Sequence, residues 1–287
     1  EEAGVPAGVV NVLPSSRSSE ISNTILSDDR VAKLSFTGST EVGRILLSKA
    51  SERIVNCSME LGGNAPFIVL DDADMDVAVS SAMVAKLRNA GESCIGANWF
   101  CVHSSLVDEF ADRLAAEMAK LKIGPGLEAG VEMGPLVNAS TRDKVAQLVD
   151  DAVSGGAQVL TGGKRLEGTG FFYEPTVVRV FDLQAEILHT EIFGPVAPIV
   201  AFDDLGDAIK RANETIFGLA AYVVSANTGR ALEVARKIDA GIIGLNRGFV
   251  SDAAAPFGGF KQSGLGREGS QDGIHEFLEK KYIAVDW

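Results

Sequence analysis

A cysteine in a glycine-containing turn and a glutamate upstream of it are the residues of this sequence best suited to covalent catalysis. Cys94 follows Gly91 and Ser93, which favour a tight polar turn that exposes sulfur and directs backbone N–H groups at a substrate oxygen. Glu60 is a carboxylate that could serve as a general base. The alternatives are an inert cysteine packed as a small hydrophobe and a glutamate at a strand end paired with a surface lysine.

A second turn has the composition of a phosphate-binding site. Gly38 and Gly43 flank a segment that follows a predicted strand and opens a predicted helix, where free N–H groups attract anionic oxygen. The spacing is not G-x-G-x-x-G. The alternative is therefore an ordinary strand-to-helix turn, capped by Ser39 or Thr40.

The elements that position these residues follow from the apolar pattern. Apolar runs of strand length alternate with amphipathic stretches of helical length, which predicts an α/β protein with largely parallel sheets. The predicted strands cover residues 9–13, 31–36, 66–70, 100–103, 171–180, 197–202, 220–224 and 242–245. The predicted helices cover residues 20–26, 41–50, 75–88, 107–121, 142–153, 205–212 and 230–239.

Composition narrows the class of protein. The 287 residues are 46% hydrophobic, enough for a large core. A net charge of −13 argues against nucleic-acid binding, which usually needs a basic face. The sequence has no charged-then-apolar leader and no apolar run that could cross a bilayer, so we expect a soluble, cytoplasmic piece of a longer protein without a membrane partner.

The cysteines and histidines argue against a disulfide framework and a metal site. Three cysteines are an odd number spread over a long chain, and a reducing compartment is the simpler interpretation. Cys57 and Cys101 lie in strand-like apolar runs, where a structural role is favoured. The three histidines are far apart, and no Cys/His pair has metal-ligand spacing.

Five motifs together resemble one family, the aldehyde dehydrogenases, over the whole chain. They occur in the family's order, at residues 36–43 (FTGSTEVG), 59–64 (MELGGN), 89–94 (NAGESC), 191–195 (EIFGP) and 256–259 (PFGG). Within the family the chain looks closest to the succinate-semialdehyde dehydrogenases, notably at residues 241–246 (GIIGLN) and 261–270 (KQSGLGREGS).

The resemblance implies a division into domains. Residues 1–60 would form the later part of a Rossmann-like dinucleotide-binding domain, and residues 61–246 the catalytic α/β domain. Residues 247–287 would return to the first domain and end in a strand at 282–285 that family members use in subunit contacts. Since exposed edge strands favour pairing with another chain, a homo-oligomer, dimer or tetramer, is implied for the full-length protein.

The resemblance also implies roles for the motif residues. Cys94 as thiolate would attack the aldehyde carbon, and the thiohemiacetal would expel hydride to the nicotinamide of NAD or NADP. Glu60 would then activate water to release the acid from the thioester. The residues implied to lie at the cofactor are Gly38, Ser39, Thr40, Gly43, Leu61, Glu191 and Phe193, with Glu191 on the nicotinamide ribose.

Two residues are implied to select the substrate. Arg88 and Ser251 match positions that bind the distal carboxylate in the succinate-semialdehyde subfamily, so the implied reaction is oxidation of succinate semialdehyde to succinate. The alternative for Arg88 is a helix C-terminal cation. The rival functions are a dehydrogenase for another aldehyde, glutarate semialdehyde or a non-acidic one, and a non-catalytic scaffold that keeps a relic site.

The chain departs from the family pattern at several positions. Glu92 replaces the usual Gln, and we expect its carboxylate to raise the pKa of Cys94 by like-charge repulsion. Gly96 replaces a second cysteine found in many succinate-semialdehyde enzymes, Trp99 replaces an Arg, and Phe249 lies in a variable stretch near Ser251. Whole family members also carry an N-terminal portion absent here, which includes an oxyanion-binding Asn and determines NAD or NADP preference.

Overall fold

Strands and helices alternate along the chain in the computed structural model, which describes residues 2–287. The helices are α1 (Ser18–Leu26), α2 (Thr40–Ser51), α3 (Met75–Leu87), α4 (Val107–Ala119), α5 (Ala139–Ser154), α6 (Leu205–Asn213), α7 (Thr228–Ala235) and α8 (Asp272–His275). The strands are β1 (Lys33–Thr37), β2 (Asn56–Glu60), β3 (Ala65–Val69), β4 (Ala97–His103), β5 (Gln158–Thr161), β6 (Thr176–Arg179), β7 (Val196–Phe202), β8 (Ala220–Val224), β9 (Ile242–Leu245) and β10 (Gly264–Leu265).

The strands form two sheets. A seven-stranded sheet has the order β5-β6-β7-β4-β3-β8-β9, and only β5 runs antiparallel to its neighbour. A three-stranded sheet has the order β1-β2-β10, with β1 parallel and β10 antiparallel to β2. The prediction of an α/β fold with largely parallel sheets is confirmed.

The core lies on both faces of the larger sheet, since its central strands are buried along their whole length, as parallel strands are when helices cover both faces. One face carries a cluster of aromatic rings from three neighbouring strands and α4. The ring centroids of Phe67 and Phe100 are 5.2 Å apart, and those of Phe67 and Tyr222 are 5.7 Å apart. Phe110 on α4 stacks on Phe67 at 6.4 Å and joins helix to sheet.

Three predicted strands differ from the structure. Residues 9–13 and the tail at 282–285 form no strand, because no strand among residues 2–287 pairs with either, and their side chains are exposed. The strand predicted at residues 171–180 is limited to β6, since Pro175 directly before it has no backbone N–H to donate. The sequence prediction missed β5. No helix in the described part is long and apolar enough to span a membrane.

Candidate active site

The turn that carries Cys94 is left-handed over three consecutive residues. Asp74 caps α3 by accepting from two backbone N–H groups, and the helix ends at Leu87. Asn89, Ala90 and Gly91 then have φ angles of 50°, 54° and 80°. Positive φ is unfavourable for residues other than glycine and persists only where the surroundings impose it, often at functional sites.

Backbone contacts on two sides hold this turn. A Cβ built at Gly91 would overlap the Gly194 carbonyl, whose carbon is 2.5 Å away, so the Cys94 turn lies directly against the segment after Glu191. A Cβ at Gly63 would lie 2.5 Å from the Cys94 carbonyl oxygen. Both glycines are therefore required by close backbone approach.

The half-buried thiol of Cys94 faces two carboxylates. Burial raises the pKa of Cys94, and the nearby charges of Glu191 and Glu60 raise it further. Hydrogen bonds from the backbone N–H groups of Cys94 and Ile95 act in the opposite direction. The sulfur therefore lies where the sequence placed a nucleophile, and its resting form at neutral pH is the thiol.

The expectation for Glu92 is wrong. Its Oε1 accepts a hydrogen bond from the backbone N–H of Val137, 3.0 Å away, just before α5. The like charges that raise the pKa of Cys94 belong to Glu191 and Glu60. Because Glu92 is directed at the N-terminal end of α5, it joins the Cys94 turn to that helix.

Alkylation kinetics should reflect this environment. Below the raised pKa of Cys94, we expect each increase of one pH unit to speed its modification by iodoacetamide about tenfold, since only the thiolate reacts. Cys101 has no exposed surface and a pKa raised by burial to about 12, so it should resist modification throughout. Mass spectrometry of modified peptides measures both rates, and equal modification of the two cysteines in the folded protein would contradict this description.

Glu60, at the end of β2, is a buried carboxyl with an unsatisfied oxygen. It is 4% exposed, and its Oε2 has no hydrogen-bond partner among the described residues. Burial raises the pKa of Glu60 to about 8; the charge of Glu268 also raises it, whereas Arg267 lowers it. A carboxyl with a pKa near neutrality and an unused acceptor can take a proton from water.

The segment around β10 holds the chain that follows Glu60. The Ser263 hydroxyl donates to Gly62 O at 2.7 Å and accepts from Gly218 N–H at 2.9 Å. The N–H of Leu61 donates to Ser263 O. Ser263 is fully buried, so the segment from Glu60 to Gly62 is fixed by residues about 200 positions later.

Three of the residues predicted to bind the cofactor lie around Gly62 and Gly63: Thr40, Glu191 and Leu61, which directly precedes Gly62. A Cβ built at Gly62 would lie 2.8 Å from Glu191 Oε2 and 3.3 Å from Thr40 Oγ1. Glu191 Oε1 accepts from the Gly63 N–H at 3.0 Å. Phe193, two residues further on, has a φ of 54°. The start of α2 and the Glu191 carboxylate thus meet over two glycines.

The other predicted cofactor residues form the turn into α2. Ser39 accepts a hydrogen bond from Val42 N–H, so it is the helix cap foreseen as the alternative. The N–H of exposed Gly38 donates to Glu60 O at 3.0 Å. A Cβ at Gly43 would meet the Leu61 side chain at 2.5 Å, which explains the glycine by close packing. A packing role for these residues is compatible with a phosphate site at the helix start.

The two predicted substrate residues are both exposed. Arg88 follows α3, and its guanidinium carbon lies 4.1 Å from the centroid of the Phe249 ring. Ser251 is exposed and follows Phe249 by two residues in the loop after β9. The structure therefore brings the Arg88 side chain to the loop that carries Ser251.

Sequence reasoning missed Lys86, which is 2% exposed on α3 and donates from Nζ to Ala97 O at 2.8 Å. Burial lowers the pKa of Lys86 to about 7, and the opposing charge of Glu191 partly compensates. Its bond closes the turn between α3 and β4 that contains Cys94. The helical spacing of Lys86 could have indicated its burial, because Ala82, four residues earlier, lies on the buried face of α3.

A cavity of about 210 Å³ reaches Asn64, and Cys94 is not among the residues that line it. Asn64 and Trp99 line it, together with residues of α6 and the segment after it. Trp99 is 5% exposed and packs in the larger core cluster. Within residues 2–287, no group of three or more His, Cys, Asp or Glu side chains is arranged to bind a metal.

The match to a known family covers almost the whole chain. A family model described as the aldehyde dehydrogenase family matches residues 1–283. This chain belongs to the aldehyde dehydrogenase family. The motif resemblance recognised in the sequence is thereby confirmed.

Two curated relatives are similar over nearly all of this aldehyde dehydrogenase chain. It is 51% identical over 284 residues to the succinate-semialdehyde dehydrogenase of Paenarthrobacter nicotinovorans, covering 99% of this chain and 63% of the relative. It is 47% identical over 283 residues to the glutarate-semialdehyde dehydrogenase of Pseudomonas putida, covering 99% of this chain and 58% of the relative. The chain thus spans about three-fifths of the length of these relatives.

The fold agrees with a solved family structure. The crystal structure of an aldehyde dehydrogenase from Brucella melitensis biovar abortus is 49% identical, with a TM-score of 0.95. The match covers 98% of this chain and 58% of that chain. The fold class expected from the motifs is therefore confirmed.

Proposed function

We propose that this chain carries the catalytic centre of an NAD(P)-dependent aldehyde dehydrogenase that oxidises succinate semialdehyde to succinate. The observation that carries the proposal is the position of the Cys94 thiol, half-buried in a strained turn and close enough to Glu60 and Glu191 for their charges to raise its pKa. A nucleophile and a general base are two groups that the reaction requires, and Glu191 is the carboxylate that we assign to the nicotinamide ribose.

In this proposal Cys94 and Glu60 act in sequence. The thiolate form of Cys94, in equilibrium with the resting thiol, attacks the aldehyde carbon, and the backbone N–H groups of Cys94 and Ile95 favour the thiolate by donating to sulfur. After hydride loss the acyl group is a thioester on Cys94. Glu60 removes a proton from water, the resulting hydroxide attacks the thioester carbonyl, and the carboxylic acid leaves as sulfur is regenerated.

The residues around Gly62 fit a nicotinamide dinucleotide. The half-buried Glu191 carboxylate presents acceptors for ribose hydroxyls, and the start of α2 offers N–H groups beside Gly38 and Ser39 for a diphosphate. Gly62 leaves space between Thr40 and Glu191 that a side chain would fill. When bound, the cofactor supplies the hydride acceptor.

We also propose the domain division and oligomeric state implied by the family. The three-stranded sheet contains β1 and β2, which end by Glu60, and the seven-stranded sheet begins at Ala65 and ends at Leu245. This arrangement supports boundaries near residues 60 and 246, with β10 returning to the first sheet. The exposed apolar side chains of the tail, Tyr282 and Ile283 among them, support subunit contacts in a homo-oligomer.

Glutarate semialdehyde is the second candidate substrate. The Pseudomonas putida relative that carries this name is only slightly less similar than the succinate-semialdehyde relative, with 47% against 51% identity. Both aldehydes carry a distal carboxylate, and they differ by one methylene. Arg88 would serve either, so the distance between Arg88 and Cys94 in the working enzyme would decide between them.

The test is formation of reduced cofactor from each semialdehyde. It uses the chain alone and the chain extended at its N-terminus to the length of its relatives, called below the extended protein. We expect NAD(P)H formation with succinate semialdehyde at least in the extended protein. If folded extended protein with a modifiable Cys94 oxidises neither semialdehyde, the proposed function is wrong.

Replacing Arg88 by Ala should raise KM for succinate semialdehyde by about tenfold to a hundredfold, because charged hydrogen bonds to the distal carboxylate are lost. The KM for butanal, which has no carboxylate, should change little. Arg88→Lys is the matched control, since it keeps the charge and loses the planar pair of donors, and should give an intermediate KM. An equal loss with both aldehydes in Arg88→Ala would contradict the assigned role.

A further inference from the structure

We propose that Phe249 is a positioning residue that holds the Arg88 guanidinium by stacking, and thereby gives the enzyme its preference for aldehydes with a distal carboxylate. The inference rests on the proposed function and adds the residue that makes Arg88 effective. Phe249 reaches Arg88 from the loop after β9.

The contact between Arg88 and Phe249 is unusually close for this protein. The guanidinium carbon lies 4.1 Å from the ring centroid, whereas the other cation–ring pairs of residues 2–287 are separated by 5.4 to 6.0 Å. At this distance the cation lies over the ring and is attracted by the negative aromatic face. The N–H donors of a guanidinium lie in its plane, so contact through its face leaves them available to a substrate oxygen.

Phe249 holds the cation without neutralising it. In the described part of the chain, no carboxylate lies within 4.0 Å of the Arg88 guanidinium, and the side chain is exposed. A carboxylate partner would fix the side chain equally well, but it would compete with the substrate carboxylate for the same donors. An aromatic ring restricts the arginine and keeps its charge for the substrate.

The loop that carries Phe249 is itself fixed on α3. A Cβ built at Gly248 would overlap Ser81 O and lie 2.8 Å from Ala85 N, so the loop backbone lies directly on the helix one turn before Arg88. This approach determines which part of α3 the next residue, Phe249, can reach. The Phe249 ring therefore contacts Arg88, the first residue after α3.

A second anchor lies at the start of the loop. Asn246, with a φ of 53°, accepts from Ser225 N–H at 2.9 Å and donates from Nδ2 to Ser225 O at 2.9 Å. These paired bonds tie the end of β9 to the end of β8. Phe249 thus directly follows two anchored positions, the hydrogen-bonded Asn246 and the closely packed Gly248, and its ring needs little further ordering.

The stacked arginine lies on the same side of the sheet as the thiol. The Tyr222 hydroxyl donates to Ile95 O at 2.6 Å, next to Cys94. Burial raises the pKa of Tyr222, which also responds to the charges of Cys94 and Arg88. Val250, next to Phe249, packs in the same core cluster as Cys94. Tyr222 is therefore close to both Cys94 and Arg88.

The test compares three variants of the extended protein, chosen to separate stacking from bulk. Phe249→Leu keeps an apolar side chain and removes the aromatic face, and Phe249→Tyr keeps the face. Phe181→Leu is the matched control, since Phe181 stacks on Arg179 at 5.9 Å and lies after β6, away from Cys94. The measurement is kcat and KM for succinate semialdehyde and for butanal.

In Phe249→Leu we expect KM for succinate semialdehyde to rise roughly three- to tenfold, with butanal kinetics nearly unchanged. Phe249→Tyr and Phe181→Leu should resemble the wild type. The proposal is overturned if Phe249→Leu leaves KM for succinate semialdehyde unchanged, or if both aldehydes lose equally, which would indicate a purely structural role.

A second readout keeps the two proposals separable. If the wild type oxidises butanal and not succinate semialdehyde, the proposed function fails, and the stack is then tested by protection of Cys94 from iodoacetamide by succinate. Weaker protection in Phe249→Leu than in the wild type would support an anion site organised by Phe249. Equal protection in both proteins would overturn it.

Discussion

Glutamine in place of Glu60 is expected to leave the first turnover of aldehyde oxidation intact and to slow later turnovers by about a hundredfold to ten-thousandfold. The buried carboxyl has an unsatisfied oxygen and a pKa raised to about 8, chiefly by burial, and glutamine cannot take a proton from water. Rapid mixing of the extended protein should show a burst of NAD(P)H equal to the enzyme concentration, with the acyl group on Cys94 by mass spectrometry.

The control for this variant is Glu109→Gln on the exposed face of α4, which should keep the wild-type rate. The wild-type rate of acid release should rise with pH up to about 8, as Glu60 loses its proton. A steady-state rate in Glu60→Gln close to the wild type, without a burst, would remove Glu60 from the proposed mechanism.

The same variant should be more stable than the wild type. Between the ordinary pKa of 4.5 and the folded-state pKa of about 8, the unfolded chain has lost the Glu60 proton and the folded chain retains it. The free energy of unfolding therefore falls as pH rises through this window. Glutamine has no proton to lose, so the Tm advantage of Glu60→Gln should grow from pH 5 to pH 8.

Alanine at position 91 is expected to destabilise the protein by about 2 to 4 kcal/mol and to speed alkylation of Cys94, because the carboxylates that raise the pKa of the thiol would move away from it. Gly91 has a φ of 80°, and a Cβ there would overlap the Gly194 carbonyl, which is backbone and cannot rotate away. The turn and the segment after Glu191 would have to separate, which would displace the thiol from both carboxylates. Urea unfolding and iodoacetamide kinetics measure the two effects.

Gly156→Ala is the control that separates the cost of an unfavourable backbone angle from the cost of steric overlap. Gly156 has a φ of 94° and nothing within 4 Å of a built Cβ, so alanine there meets only the unfavourable backbone angle. It should cost about 1 to 2 kcal/mol and leave Cys94 alkylation unchanged. If Gly91→Ala is no more destabilising than Gly156→Ala, the Gly91–Gly194 approach does not hold the site together.

The fold was predictable where local and global signals agree. The apolar alternation around residue 75 predicted the start of α3, and Asp74 confirms it by capping the helix. Residues 9–13 show the limit of the same reasoning, and residues 282–285 show the limit of the family resemblance. An apolar run forms a strand only with a hydrogen-bonded neighbour, and the sequence of the run does not reveal whether one exists.

The site was predictable only as far as the motifs reached. The motifs indicated Cys94 and Glu60, whose roles remain proposals, and composition gave no sign that Glu92 would accept from Val137. The motifs place Phe249 only in a variable stretch near Ser251, because the role of an aromatic residue in a loop cannot be inferred until its contact partner is known. Such contacts join distant parts of the chain, and spacing along one segment cannot encode them.

The hydrogen bonds of Ser263 have a consequence for the order in which the protein folds. They join Ser263 to Gly62 across 201 positions, and to Gly218 across 45. Contacts of such long sequence separation form slowly, and during synthesis they must wait for the C-terminal segment to be made. The strands next to Cys94 are complete well before that, so a nascent chain exposes its nucleophile before the surroundings of Glu60 have closed.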